Sequence, residues 1–252
     1  MMNSGLTPSG EVKIVPLGDS GLIVKLGDVI SLETHKRVRQ LSDYLERHPF
    51  NGLIEYVPAF TSVTIYYEGL TLMTEYADEV GQEDRDFPFQ IAAALMNNII
   101  LQLKDISDEP ERIVNIPVCY GGDLGPDLDA VADHNGLLPE EVISIHTSAD
   151  YLVYMLGFAP GFAYLGGMSE RIATPRRSTP RLSIPVGTVG IAGDQTGVYP
   201  IETPGGWQLI GRTPTRLFLP ELMPPTLLKA GDIVRFYPIP RMEFDQWEEH
   251  KS

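Results

Sequence analysis

The chain has 252 residues, 43% of them hydrophobic, and carries 34 acidic against 19 basic side chains for a net charge of -15. That length suits one large domain or two ordinary ones, with a core that needs no covalent staples. The acidity argues against nucleic acid as a partner, because binding there is driven by neutralising phosphates. A single cysteine, Cys119, excludes an internal disulfide and any multi-cysteine metal site, and no metal is expected.

The first ten residues are polar and lack the basic start and apolar run of a signal peptide. With one cysteine besides, a cytoplasmic home is expected. Residues 11–27 predict two short strands turning between Gly18 and Gly21, with alternation in Leu22, Val24 and Leu26. Ser31 is a candidate cap for a helix reaching about His48, with Val38, Leu41 and Leu45 on one face and Pro49 as its stop. Residues 53–68 read as a hairpin rich in β-branched and aromatic side chains. A second helix is predicted over 88–104 with Ile91, Leu95 and Ile99 along its inner face. These elements make a small α+β domain, ββαββα, over residues 1–105.

Residues 105–112 are charged, hold Pro110 and show no apolar period, as a linker would. Beyond them come a strand at 113–120, containing Cys119 as core filler, and two short helices at 127–134 and 139–146. Pro139 stands at a favoured first helical position, with Glu140 and Glu141 in the first turn. The stretch 151–169 carries no charge, yet Pro160 and four glycines exclude a membrane span. From there to a last strand at 232–237 the pattern is many short strands with regular turns, so residues 106–252 read as a mainly-β barrel or sandwich domain.

The functional signal lies in residues 157–214, which contain 11 Gly and 7 Pro among 58 residues. Proline removes a backbone donor and glycine loses the most freedom on folding, so long helices are excluded. The aromatics exclude a disordered linker. Between 166 and 219 stand six arginines (171, 176, 177, 181, 212 and 216), three acids and no lysine. A guanidinium fork binds carboxylate or phosphate in bidentate fashion, so this island suits an anionic ligand. Gln195, Thr196 and Tyr199 offer an amide, a hydroxyl and a phenol, although a plain turn explains the first two equally well. Gly205 and Gly206 allow close backbone approach. Trp207 beside Gln208 is a stacking platform or a barrel plug. His134 and His146 lie at helix ends; His134 suits a cap, and His146 is kept as a candidate acid or base against the simpler role of dipole partner. No phosphate-binding loop, metalloprotease helix, serine elbow or amidase serine cluster is present.

The block GFAPGFAYLGG, RIATPRRSTPR and VGTVGIAGDQTGVYPIETPGGWQLIGRTP resembles the family of KipI and the 5-oxoprolinase B subunit, also labelled allophanate hydrolase subunit 1. The similarity runs back through residues 120–128 and, more loosely, to Gly18-Asp19-Ser20, so it covers nearly the whole chain. The resemblance implies a cyclophilin-like β-barrel preceded by a small α+β domain. It implies partners as well, a C-like (KipA-like) subunit of 5-oxoprolinase and an A-like one. The three together open 5-oxo-L-proline to L-glutamate. ATP is then a co-substrate of the complex, its site lying partly elsewhere because this chain has no phosphate-binding loop. On that reading His146, Arg176, Arg177, Gln195 and Arg212 are the candidate catalytic groups. Pro160, Phe162, Tyr164, Thr196, Tyr199, Gly205, Gly206, Trp207 and Gln208 are candidate substrate-binding residues. A rival within the family is a KipI-type inhibitor of a sensor histidine kinase, a binding module without chemistry of its own. Allophanate hydrolysis ranks last, since the amidase serine/lysine signature is missing.

Overall fold

A computed structural model describes residues 11–81, 87–103 and 112–249. The chain divides into two units, Met1–Pro110 and Glu111–Ser252; the expected boundary at residue 105 lies outside the described residues.

In the first unit β1 (Lys13–Pro16) and β2 (Gly21–Lys25) form the predicted hairpin. Gly18 takes φ 63°, a left-handed turn conformation open to glycine at no steric cost. Helix α1 (Leu32–Arg47) begins where Ser31 Oγ accepts from the Thr34 amide at 3.1 Å. Strands β3 (Leu53–Pro58) and β4 (Ser62–Tyr67) complete an antiparallel sheet of order β1-β2-β4-β3. A short helix α2 (Gly69–Glu75), not foreseen in the sequence, follows. It holds one buried side chain, Leu72, too few to show a period. Helix α3 (Pro88–Leu103) packs with α1 on the sheet, with Ile91 and Ile99 in the core as predicted, Leu95 partly buried against it, and Met96 fully buried beside them. The core is Leu22, Val24, Val38, Leu41, Leu45, Val63, Ile65 and Ile91, the positions that alternation and helical spacing select.

The second unit opens with β5 (Ile113–Tyr120), followed by α4 (Leu128–Asn135) and α5 (Pro139–Thr147). Gly136, at φ 65°, ends α4 and returns its amide to the last turn. Glu141 accepts from the Leu138 amide at 2.9 Å to cap α5. Then come β6 (Tyr151–Leu156), β7 (Ala163–Gly166), β8 (Arg181–Ile184), β9 (Thr188–Ala192), β10 (Gln195–Val198), β11 (Thr203–Gly205), β12 (Gln208–Arg212) and β13 (Ile233–Pro238). Seven of the strands in this unit form one sheet, β10-β9-β12-β5-β13-β6-β7. Its end strands β10 and β7 lie against each other, nearly closing a barrel. Every pair is antiparallel except β5 with β13. The remaining two, β8 and β11, pair outside the barrel. The fold class is therefore the expected one, an α+β unit followed by a mainly-β barrel. Ile116, Val118, Val153, Val189, Ile191, Ile210, Val234 and Phe236 fill the barrel.

A final helix α6 (Arg241–Glu249) was not predicted. Its sequence is charged, and its anchor is one buried aromatic, Phe244, packed with Cys119, Leu124 and Ile239. Cys119 is core filler as expected, and burial pushes its thiol pKa up. No helix among the described residues is long and apolar enough to cross a membrane.

Candidate functional site

Eight of the predicted residues line one cavity of about 220 Å³: Phe162, Tyr164, Arg176, Gln195, Tyr199, Gly205, Gly206 and Trp207. Two unforeseen residues, Phe158 and Pro204, complete it. Phe162 is the hub of its aromatic wall, meeting Tyr164, Trp207 and Tyr199 edge to face at 5.3, 5.8 and 6.2 Å between centroids. Edge-to-face packing sets positive ring edges against negative faces and fixes the rings. Gly205 lets the wall close, since a Cβ there would overlap the Tyr199 hydroxyl and come within 2.7 Å of Ile184. Burial raises the Tyr199 pKa, partly offset by Arg176, a hydrogen bond to the Trp207 backbone, and Arg181, so the phenol keeps its proton at neutral pH.

Among the described residues Arg176 is the one cation lining this cavity. Both its neighbours are pinned. Gln208 Nε2 donates to the Pro175 carbonyl at 2.9 Å, and the Arg177 amide donates to the Gly206 carbonyl at 2.7 Å. The Arg177 guanidinium is committed to Asp127, which also takes Arg181 (2.9 and 2.8 Å to Oδ1) and, through Oδ2, the Leu209 amide at 2.7 Å. This buried carboxylate, 4% exposed, ties the start of α4, the arginine loop and β12 together. Arg176 is thereby presented on a braced loop while its own side chain is exposed.

The structure separates the other candidates from this cavity. Arg177 and Gln208 border an adjoining recess that shares Arg176, and their polar groups hold the loop. Arg212 lines a different cleft, with Arg216, Thr213 and Phe218; its Nε donates to the Val186 carbonyl at 2.8 Å, and its guanidinium lies 6.0 Å from the Phe244 ring centre. Pro160 is exposed beside the cavity loop and does not line it.

His146 and Thr196 sit inside the barrel core, 0% and 1% exposed. The imidazole spans the Tyr120 hydroxyl (2.8 Å from Nδ1) and the Thr196 hydroxyl (2.8 Å from Nε2), and stacks on Phe236. Burial lowers its pKa to about 3. A neutral, buried histidine with both nitrogens engaged organises the barrel core and does not line the aromatic cavity. His134, placed at the end of α4, borders the recess near Arg177. Among the described residues no group of three or more His, Cys, Asp or Glu side chains is gathered as metal ligands would be.

Phe158 was missed because the sequence gives no sign of its backbone. It takes φ 68°, the one non-glycine residue with positive φ among those described. The Ala159 amide donates to the Gly157 carbonyl at 2.8 Å across it, making Phe158 the centre of a γ-turn.

Comparison with known proteins follows the same outline. Residues 12–228 match the family described as "Carboxyltransferase domain, subdomain C and D". The chain is 49% identical to the B subunit of 5-oxoprolinase from Bacillus subtilis, covering 95% of this chain and 98% of that one. It is 41% identical to the corresponding B subunit from Escherichia coli O157:H7, covering 88% and 94%. The crystal structure of TTHA0988 superposes with a TM-score of 0.71 at 34% identity, over 87% of this chain and 40% of that one. With the barrel, the braced arginine loop and these matches together, the chain belongs to the carboxyltransferase subdomain C and D family, the one that includes the 5-oxoprolinase B subunit.

Proposed function

We propose that the chain is the B subunit of an ATP-dependent 5-oxoprolinase, opening the lactam of 5-oxo-L-proline to L-glutamate. The observation that carries this is the aromatic cavity of about 220 Å³ with Arg176 as its one cation. A five-membered lactam bearing one carboxylate matches that chemistry. The ring lies against Phe162 and Trp207, the carboxylate meets the guanidinium, and the Gln195 amide is placed to bond the lactam N–H or oxygen. Tyr199, held neutral, keeps a hydroxyl beside the ring.

An unstrained lactam is a poor electrophile. ATP, a co-substrate of the complex, would phosphorylate the lactam oxygen with release of ADP; water then adds to the activated lactam carbon, phosphate leaves and the C–N bond breaks to give L-glutamate, while Arg176 holds the substrate carboxylate. The remaining machinery comes from the partners, the C-like and A-like components of the complex.

The test is ATP hydrolysis and glutamate release from 5-oxo-L-proline, measured for the chain alone and then with both partners. Turnover confined to the full mixture supports a metabolic role. No turnover from a properly assembled complex overturns it and leaves inhibition of a sensor histidine kinase as the reading to pursue.

A further inference from the structure

Phe158 combines three properties that seldom meet in one residue. It occupies the strained centre of a γ-turn at φ 68°. The residue is 69% exposed. It nonetheless lines the aromatic cavity, standing edge to face with Phe162 at 5.5 Å between centroids. Glycine or asparagine takes such a backbone readily, whereas a bulky L side chain there is strained. An unburied ring returns little packing energy in exchange.

The loop is built to hold this conformation. The Gly157 amide donates to the Phe162 carbonyl and the Phe162 amide to the Ala159 carbonyl, both at 3.0 Å. Gly161 is packed so closely that a Cβ there would lie 2.9 Å from Phe218. The turn is thus fixed from both sides, and its tip is an aromatic ring at the mouth of a small cavity. Strain kept at a site by its surroundings points to a role in that site.

We propose that Phe158 is the specificity-determining residue of this cavity, standing over the bound lactam ring and limiting the size of ring accepted. The proposal rests on the reading of the cavity as the 5-oxo-L-proline site. Ligand entry covers the exposed face of Phe158, so the ring gains with the ligand the burial it lacks in the free protein. A fixed aromatic tip also penalises any ligand larger than the space beneath it.

The experiment compares wild type with Phe158→Ala and Phe158→Gly in the assembled complex. It measures kcat and KM for 5-oxo-L-proline and for its six-membered homologue, 6-oxopiperidine-2-carboxylate, together with the thermal midpoint of each chain and complex assembly by gel filtration. Both variants should raise KM for 5-oxo-L-proline about tenfold, equivalent to about 1.4 kcal/mol. Both should narrow discrimination against the larger ring by about tenfold, the scale of one methylene in an apolar pocket. Phe158→Gly alone should raise the thermal midpoint, by about 2–4 °C, as the turn strain is relieved. An active wild type whose variants keep both KM and ring discrimination overturns the role of Phe158 while leaving the proposed function standing. Loss of assembly with unchanged discrimination at saturating partner also overturns it, making Phe158 a docking residue. A wild-type complex without turnover overturns the proposed function and this inference with it.

Discussion

Nε2 of His146 lies 2.8 Å from Oγ1 of Thr196, and that hydroxyl donates onward to the Gly190 carbonyl at 3.1 Å. The imidazole is therefore the donor to Thr196, and its Nδ1 accepts from the Tyr120 hydroxyl. Only a neutral ring fills both roles. One polar chain thus links β5, α5, β10 and β9 through the middle of an apolar core.

This arrangement makes the barrel acid-sensitive. His146 has a folded pKa of about 3 against 6.5 in an exposed chain. Above about pH 6.5 both states are neutral and the ring contributes no pH dependence. Below it the unfolded chain takes up a proton that the fold refuses, so stability falls with falling pH down to about 3. At pH 4.5 the loss is about 2–3 kcal/mol. Denaturant unfolding followed by tryptophan fluorescence reports on this unit, since Trp207 and Trp247 both lie in it. His146→Gln should be less stable at pH 7.5 by about 1–3 kcal/mol but show a shallower fall between pH 6.5 and 4.5. A slope equal to wild type would refute the assignment.

Asp127 accepts three hydrogen bonds, and replacing it by alanine strands two guanidiniums and the Leu209 amide together. The expected loss is about 2–3 kcal/mol, below the range for a fully buried pair because Arg177 is 39% exposed and water takes over part of its charge. Arg177→Ala alone should cost less than Asp127→Ala, and denaturation midpoints would show the order.

Arg176 and Arg212 should part company in kinetics. Arg176→Ala leaves stability within about 0.5 kcal/mol, as for an exposed side chain, while KM for 5-oxo-L-proline rises about ten- to a hundredfold through loss of a charge-assisted bond. Arg212→Ala, at another cleft, leaves that KM unchanged. Steady-state assays of the assembled complex would decide, and equal effects would refute the placement of the carboxylate.

The paired glycines differ in the same way. Gly205→Ala drives a methyl into Tyr199 and Ile184 and should destabilise by about 1–3 kcal/mol. A Cβ on Gly206 meets nothing nearer than 3.7 Å, so Gly206→Ala should fold as wild type. Thermal melts of the two variants are sufficient to test this.

The parts legible in the sequence are those written as periodicity or punctuation. Val63, Ile65 and Tyr67 alternate into the core of the first unit, and Ser31 and Pro139 mark helix starts as their chemistry requires. The aromatic cavity was legible as composition, because Phe162, Tyr199 and Trp207 fall in one Gly/Pro-rich block. What stayed hidden was direction. Gln195 and Thr196 are adjacent on β10, so their side chains leave opposite faces of the strand, one to the cavity and one to the core. Arg176 and Arg177 divide likewise between the cavity and Asp127. The strained backbone of Phe158 had no sequence signal, and the single anchor of α6, Phe244, left no period to read.

Strand β5 has consequences for synthesis. Its eight residues sit between β12 and β13, both of which lie far downstream in the chain. During translation at ~5–20 residues per second, β5 leaves the ribosome roughly 5–20 s before either neighbour exists. Through that interval an apolar ribbon with two open edges accompanies the growing chain. The β5–β13 pairing therefore forms late, and chains halted before residue 233 retain an open β5 edge that favours aggregation.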